Sequence, residues 1–227
     1  MKKAPKQVSV IIPAYNAERY LAEALDSALA QTYPPAEIIV INDGSKDGTE
    51  EIALAYGDRI HYIAQPNRGI SATRNRGIEA SSGEFLAFLD ADDIWESRKL
   101  EFQMAIMESQ PDVNMVFCHM IRFNDAAPGS TRRIESKPQP APLPAALLIG
   151  REDFFRVGSF DEKATFGEFV PWYARAKELQ MKEFMLAEAL LLRRIHDDNM
   201  GVREKHNIRD YVLHLKEAID RRRENRK

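Results

Sequence analysis

The 227-residue chain is 44% hydrophobic and 30% charged, a composition typical of a globular protein with one domain, with or without a subdomain. Its formal net charge of -3 gives no electrostatic reason to expect nucleic acid as the main partner. A single cysteine, Cys118, supports no disulfide framework. The first apolar run, residues 8–12, is too short for a signal peptide or a membrane span, so we expect a cytoplasmic location.

Apolar runs and helical stripes alternate through the first half of the sequence. Aliphatic runs rich in β-branched residues predict strands at residues 8–12, 37–43, 60–65 and 84–90. Helices are predicted between them, at residues 16–33, 50–57 and 70–80. Asn16 is a suitable N-cap for the first helix, and Pro34 ends it. This alternation predicts an α/β fold with a doubly wound, mostly parallel sheet.

The second half of the sequence is less regular. A helix is predicted at residues 96–110 and a strand at residues 113–123, before a proline-rich loop at residues 124–144 that is a candidate lid. Two further helices are predicted at residues 151–158 and 168–179. Periodicity does not decide between strand and helix for residues 185–195. An apolar stripe at residues 208–219 predicts a C-terminal helix with a basic end.

Polar, turn-forming residues follow each of the first four predicted strands, and the carboxyl ends of parallel strands converge on one ligand-binding edge. Asp90, Asp92 and Asp93 crowd the tip of the fourth strand. Like charges this close repel unless a cation or hydrogen-bond donors lie among them, and an Asp-x-Asp pair suits Mg²⁺ or Mn²⁺. The alternative is that Asp92 or Asp93 caps the helix that follows.

Three further side chains at these tips favour a nucleotide diphosphate as the ligand. Tyr15 offers an aromatic ring for a base, Asp43 can accept from a base or ribose, and Arg74 can reach a phosphate. Each residue also has an ordinary structural explanation: packing for Tyr15, a turn with Gly44 for Asp43, and a solvated helix face for Arg74. Taken together with the acidic tip, they predict a nucleotide-diphosphate site.

Residues 8–53 and 67–93, which include "PAYNAE", "NDGSKDG", "SATRNRG" and "FLDADD", resemble the family-2 glycosyltransferases of the GT-A fold. The resemblance resumes at residues 145–162, 167–176 and 193–201. It implies a Rossmann-like sheet in a single GT-A domain. The implied parts are a nucleotide-sugar half at residues 1–123, an acceptor-side subdomain at 124–200 and a basic helical tail at 201–227.

The resemblance also implies roles for individual residues. The residues that it assigns to the nucleotide-sugar pocket are Pro13, Ala14, Tyr15, Glu18, Asp43, Arg74, Asp90, Ala91 and Asp92. Within the Asp-x-Asp motif, Asp92 is the expected ligand of Mn²⁺ or Mg²⁺, and Asp90 is expected nearer the ribose. His196 matches a histidine that reaches the metal or the diphosphate in many related enzymes.

The implied reaction moves a sugar from a nucleoside diphosphate, usually UDP, to an acceptor with inversion, as in a hexosyltransferase. The family's base is normally the Asp of a Glu-Asp pair, but this sequence reads Glu168-Phe169. We favour Glu168 as the base. The alternatives are another carboxylate (Asp153, Asp161 or Asp197), a more acidic acceptor such as a thiol, or a module that binds the donor without efficient transfer.

A nucleotidyltransferase is disfavoured, because "PAYNAERY" lacks a glycine-rich, basic phosphate loop. The acceptor class stays open among saccharides, lipid-linked molecules and peptides. The stripe in the tail predicts packing against the body of the protein or against a second copy of the chain. The basic end "RRRENRK" is compatible with peripheral contact with an anionic membrane surface, or with a solvated chain end.

Overall fold

A computed structural model describes residues 6–124, 133–134, 136–163 and 167–196. Within these ranges the chain forms a single mixed sheet with helices around it. The strands are β1 (Val8–Ala14), β2 (Glu37–Asp43), β3 (His61–Gln65), β4 (Phe85–Phe88), β5 (Ile94–Trp95), β6 (Met115–Asn124), β7 (Arg133–Ile134), β8 (Gln139–Pro140), β9 (Leu148–Gly150) and β10 (Glu183–Ile195). The helices are α1 (Leu21–Leu29), α2 (Thr49–Leu54), α3 (Ile70–Ala80), α4 (Lys99–Ser109), α5 (Arg151–Val157) and α6 (Phe169–Glu178).

The strand order across the sheet is β3-β2-β1-β4-β9-β6-β10-β5, and β7 and β8 also pair with β6. Strands β3, β2, β1 and β4 are parallel, as the strand-helix alternation predicts. Strand β9 is antiparallel to both of its neighbours, and β5 is antiparallel to β10. The sheet is therefore parallel in its first half and mixed in its second half.

The central strands are buried on both faces, which explains why they read as continuous apolar runs rather than alternating ones. Every residue of β1 and β4 is buried. The buried face of α1 consists of Leu21, Ala24, Leu25 and Ala28, spaced as one helical stripe. These contacts fix the carboxyl ends of the parallel strands at one edge, where the predicted site residues lie.

The structure changes one predicted helix start and resolves one ambiguous segment. The first helix begins at Leu21 rather than after Asn16, because Asn16 has φ +48° and its side-chain oxygen accepts from the Lys46 N–H at 2.9 Å. Asn16 thus belongs to a turn and is not an N-cap. The ambiguous run at residues 185–195 is part of strand β10, because pairing with β6 and β5 satisfies its backbone on both sides.

Several predicted features lie partly or wholly outside the described residues. In the proline-rich segment, the described pieces β7 and β8 extend the sheet beside β6, and its function as a lid stays a prediction. The predicted C-terminal helix, its contact with a second copy and its contact with a membrane surface all fall outside the described ranges. Within those ranges, the helices are too short or too polar to cross a bilayer.

Candidate active site

The loop after β1 is tied to the loop after β2. Pro13 and Ala14 are buried at the end of β1, whereas the next side chain, Tyr15, is 46% exposed. The Glu18 carboxylate accepts from the Gly48 N–H at 2.7 Å. Tyr15 is therefore available as a stacking surface and is not a core residue, while Glu18 braces the two loops in this structure.

Asp43 anchors the loop that leads into α3. Its carboxylate accepts from the Gln65 side-chain amide at 2.8 Å and from the N–H groups of Arg68 and Gly69 at 2.9 Å each. It is buried at the end of β2. Asp43 therefore does more than form a simple turn with Gly44, because it holds the end of β2 to the loop before α3; its contact with a base or ribose stays a prediction.

Arg74 joins two carboxylates from distant parts of the chain. Its buried guanidinium donates to Asp90 Oδ1 at 2.7 Å and also to Glu168. Burial acts to lower the pKa of Arg74, but the two carboxylates outweigh it and hold that pKa above its ordinary value. The solvated-face explanation for Arg74 is thus wrong, because this side chain connects the Asp-x-Asp motif with the start of α6.

Asp92 and His196 face each other on the other side of the motif. The distance from Asp92 Oδ2 to His196 Nε2 is 3.0 Å. The antiparallel pairing of β10 with β5 brings them together. Leu192 lies opposite Ile94, and from this pair β10 runs forward to His196 while the segment before β5 runs back to Asp92. The intervening Ala91 is buried. The two predicted metal-ligating side chains therefore meet, although 104 residues separate them in sequence.

Asp93 turns away from this edge. It is buried, and its Oδ1 accepts from the backbone N–H of Arg194 at 2.9 Å. Burial, followed by the nearby charges of Asp92 and Asp90, raises the pKa of Asp93 well above its ordinary value. The helix that follows begins at Lys99 with Arg98 at its N-cap position. The helix-capping alternative for Asp92 and Asp93 is therefore wrong.

The candidate bases differ in where they lie. Glu168 is buried against Arg74 beside the Asp-x-Asp motif, at the N-cap position of α6. Asp153 lies on α5, which begins directly after Gly150. Gly150 pairs with the first residue of β4, whereas Asp90 follows the other end of that strand. Asp153 is therefore at the opposite edge of the sheet from Asp90. Asp161 accepts from the Lys163 N–H at 2.9 Å within its own loop. Asp197 lies outside the described residues.

Sequence reasoning missed two residues beside this edge, Tyr20 and Arg194. The Tyr20 ring contacts both the His196 imidazole and the Arg194 guanidinium. One available signal was the charged pair Arg193-Arg194, which directly follows the apolar run at residues 189–192. A charged side chain at such a position is buried only when it has partners, so its presence indicates a fixed polar network.

Residues 9–160 match the family described as Glycosyl transferase family 2. The chain belongs to this family. The chain is 35% identical to an uncharacterized glycosyltransferase of Rickettsia felis over 210 residues, which cover 84% of this chain and 34% of the relative. It is 43% identical to Glycosyltransferase GlyA of Streptococcus pneumoniae over 111 residues, which cover 47% of this chain and 16% of the relative. The chain thus spans about a third or less of the length of the curated relatives it matches first.

Solved structures show the fold of this family 2 chain. The mannosyltransferase PcManGT of Pyrobaculum calidifontis, in complex with GDP-Man and Mn²⁺, superposes with a TM-score of 0.74 at 18% identity, covering 96% of this chain and 65% of that one. TarS of S. aureus (residues 1–349), in complex with UDP-GlcNAc, gives a TM-score of 0.71 at 21% identity, covering 85% and 60%. The predicted GT-A fold and the glycosyltransferase family are thereby confirmed.

Proposed function

We propose that this chain is the catalytic domain of an inverting glycosyltransferase that moves a sugar from a nucleoside diphosphate to an acceptor. The proposal rests on one observation: the Asp-x-Asp motif contacts Glu168 through Arg74 on one side and His196 on the other. Family membership supports glycosyl transfer as the reaction class. We assign residues 1–123 to donor binding, residues 124–200 to the acceptor side and residues 201–227 to a helical tail.

The proposed donor is a UDP-sugar. Support comes from the exposed ring of Tyr15 and the anchored loop around Asp43, which together frame the edge of the sheet next to the Asp-x-Asp motif. Among the similar structures, TarS was solved with UDP-GlcNAc and PcManGT with GDP-Man. A donor test therefore has to include both nucleotides.

Asp92 and His196 fit a divalent cation. A carboxylate oxygen of Asp92 and an imidazole nitrogen of His196 lie 3.0 Å apart. Carboxylate oxygens suit Mn²⁺ and Mg²⁺, and a neutral imidazole is the commonest metal ligand among protein side chains. Across the ranges described by the structure, no group of three or more His, Cys, Asp or Glu side chains could hold an ion. Ions of this class commonly combine one or two protein ligands with substrate phosphates. When bound, such an ion stabilises negative charge on the departing diphosphate.

Glu168 is the proposed general base. An acceptor hydroxyl becomes a useful nucleophile only when a carboxylate within hydrogen-bond reach takes its proton. Arg74 holds the Glu168 carboxylate beside Asp90, which supports a role for Arg74 in orienting that carboxylate. A thiol acceptor would depend less on this base. Saccharide, lipid-linked and peptide acceptors all remain compatible with the described residues.

One observation favours a second candidate function, a module that binds the donor without efficient transfer. Glu168 is only 6% exposed and already accepts from Arg74, so an acceptor must compete with an ion pair to reach it. In that case the chain would hold the nucleotide sugar and release almost no nucleotide. Donor binding and turnover therefore have to be measured separately.

The first experiment follows UDP and GDP release from UDP-sugars and GDP-mannose with Mn²⁺, with and without pooled saccharide, lipid-linked and peptide acceptors. We expect metal-dependent UDP release that rises with one acceptor pool. Tight UDP binding with no release from any donor would instead support the binding module.

The Glu168→Gln variant tests the base. We expect it to bind UDP as the wild type does and to lower turnover by about a hundredfold or more, because general-base catalysis contributes on that scale. Glu162→Gln is the matched control, since Glu162 is a half-exposed carboxylate that, like Glu168, pairs with an arginine, here Arg68. A fully active Glu168→Gln variant would show that another residue is the general base.

A further inference from the structure

Arg194 is a buried cation at the end of β10. The side chain is 2% exposed and lies between two aromatic rings, with its guanidinium carbon 4.6 Å from the ring centroid of Tyr20 and 4.7 Å from that of Phe123. A charge at such a depth is stable only when hydrogen bonds and an opposite charge replace its water. Its polar partners therefore indicate what this arginine holds in place.

Those partners lie on the Asp-x-Asp loop and on α1. The Arg194 Nε–H donates to the backbone carbonyl of Asp92 at 2.9 Å, and the Arg194 backbone N–H donates to Asp93 Oδ1 at 2.9 Å. The Nη2 group pairs with the Glu23 carboxylate on α1. One residue thus fixes two consecutive members of the loop that carries the proposed metal ligand.

The same network reaches the second proposed ligand. The Tyr20 ring lies against the Arg194 guanidinium on one side, and its centroid is 4.7 Å from that of the His196 imidazole. Arg194 and His196 are also two residues apart on the same segment. Arg194 therefore connects the backbone of Asp92 and, through Tyr20, the ring of His196 in one rigid cluster.

We propose that Arg194 is a positioning residue that sets the distance and direction between the Asp92 carboxylate and the His196 imidazole. This inference rests on the proposed function, which assigns that pair to a divalent cation. The physical reason is that residues around a metal site orient its ligands, and their loss typically lowers metal affinity by about tenfold to a hundredfold. Arg194 itself has no direct role in the chemistry.

The test measures Mn²⁺ affinity of the full chain in the presence of UDP, from the signal of free Mn²⁺ in electron paramagnetic resonance. We expect Arg194→Met to weaken Mn²⁺ binding by about tenfold or more while UDP affinity without metal changes by less than about twofold. A merely structural defect would lower both affinities together. Circular dichroism and thermal unfolding establish whether the variant is folded.

Arg193→Met is the matched control for charge. It removes the same charge from the neighbouring strand position, whose side chain points to the opposite face of the sheet. We expect it to leave Mn²⁺ affinity within about twofold of the wild type. Two results would overturn the inference: a folded Arg194→Met variant with wild-type Mn²⁺ affinity, or an equal loss in Arg193→Met.

If Arg194→Met does not fold, Glu23→Gln provides the test, because Glu23 is 48% exposed and its loss leaves the core intact. Without the Glu23 carboxylate the Arg194 guanidinium loses one of its partners. We therefore expect Mn²⁺ binding to weaken by about threefold, which in free energy is half of a tenfold loss. Unchanged binding would contradict the inference.

Asp92→Asn separates this inference from the proposed function. If Asp92→Asn leaves Mn²⁺ affinity unchanged, the metal assignment itself is wrong and the inference falls with it. If Asp92→Asn weakens binding and Arg194→Met does not, only the role of Arg194 is overturned.

Discussion

Phe169 stands where the resemblance to the family leads one to expect the aspartate of a Glu-Asp pair, and its ring belongs to the core. The ring centroid lies 5.5 Å from that of Trp172, 5.7 Å from that of Tyr173 and 6.3 Å from that of Phe117. Consecutive helical residues point about 100° apart, so a helix start that directs Glu168 to Arg74 directs the next side chain elsewhere. The departure from the family pattern is therefore a packing feature at this residue.

Replacing Phe169 with aspartate should not restore a better base. We expect Phe169→Asp to lower the free energy of unfolding by about 3–5 kcal/mol, the usual loss for removing a buried aromatic side chain, with a further cost for the buried carboxylate. Urea denaturation measures the loss, and nucleotide release measures turnover. Phe169→Leu is the control, at about 1 kcal/mol. A stable Phe169→Asp variant with higher turnover would show that an aspartate at position 169 can act as the general base.

At the scale of elements, helix α3 packs on β1 and β2 at unusually short range through Gly77. A Cβ atom added to this glycine would lie 2.5 Å from Ile11 Cγ2 and 3.4 Å from Ile41 Cγ1. Both isoleucines are fully buried, so neither can move aside easily. This contact sets the distance between α3, which carries Arg74, and β1, which ends one residue before Tyr15.

Gly77→Ala should destabilise the protein although alanine is the better helix former. The helix propensity of alanine favours the variant by about 1 kcal/mol, whereas overpacking a close-packed core costs about 1–3 kcal/mol. We expect a net loss of about 1 kcal/mol, and of at most about 2 kcal/mol, in thermal or urea unfolding. Glu79→Ala, on the exposed face of the same helix, should change stability by less than about 0.5 kcal/mol. A stabilised Gly77→Ala variant would refute this close packing.

For the molecule as a whole, a buried ammonium group at the start of helix α4 makes stability depend on pH. Lys99 donates to Gln103 Oε1 at 2.9 Å and lies 3.9 Å from the ring centroid of Trp95. Burial lowers the pKa of Lys99 to about 8, against a smaller opposing effect of Cys118. Because the unfolded chain keeps an ordinary lysine pKa, global stability depends on pH through this group.

The sign of that dependence follows from proton counting. Between pH 8 and pH 10.5 the folded protein has lost the Lys99 proton and the unfolded chain has kept it, so unfolding binds a proton. The contribution of Lys99 to the free energy of unfolding therefore rises by about 1.4 kcal/mol per pH unit in this window. We expect the free energy of unfolding of the wild type, minus that of Lys99→Met, to rise by about 1.6 kcal/mol from pH 8 to pH 9.5, because the slope reaches its full value only above the folded pKa.

Burial raises the pKa of the Cys118 thiol, which gives an opposite slope, so the comparison is best made on a Cys118→Ala background. Lys182→Met, at an exposed lysine paired with Asp112, is the control for removing a lysine charge from the surface. A difference for Lys99→Met that does not change with pH would mean that Lys99 titrates normally in the folded protein.

Local patterns were sufficient for the parallel half of the fold. Continuous apolar runs identified β1, β2 and β4, because strands buried on both faces need no polar positions. Polar residues at the strand ends identified the edge that holds the site. The predicted start of α1 is wrong. The residue type of Asn16 favours an N-cap, but its side-chain oxygen accepts instead from a backbone N–H in the loop after β2.

The amino-acid sequence alone was enough for three predictions: its motifs resemble those of the family, its apolar runs predict the parallel strands, and its strand ends supply the residue types of the candidate site. Which of those residues come into contact depends on the fold. Arg74 joins Glu168 across 94 residues, and Asp92 meets His196 across 104, because β9, β6 and β10 insert between β4 and β5 in the sheet. Strand order depends on the packing of the whole core, and no local pattern encodes it.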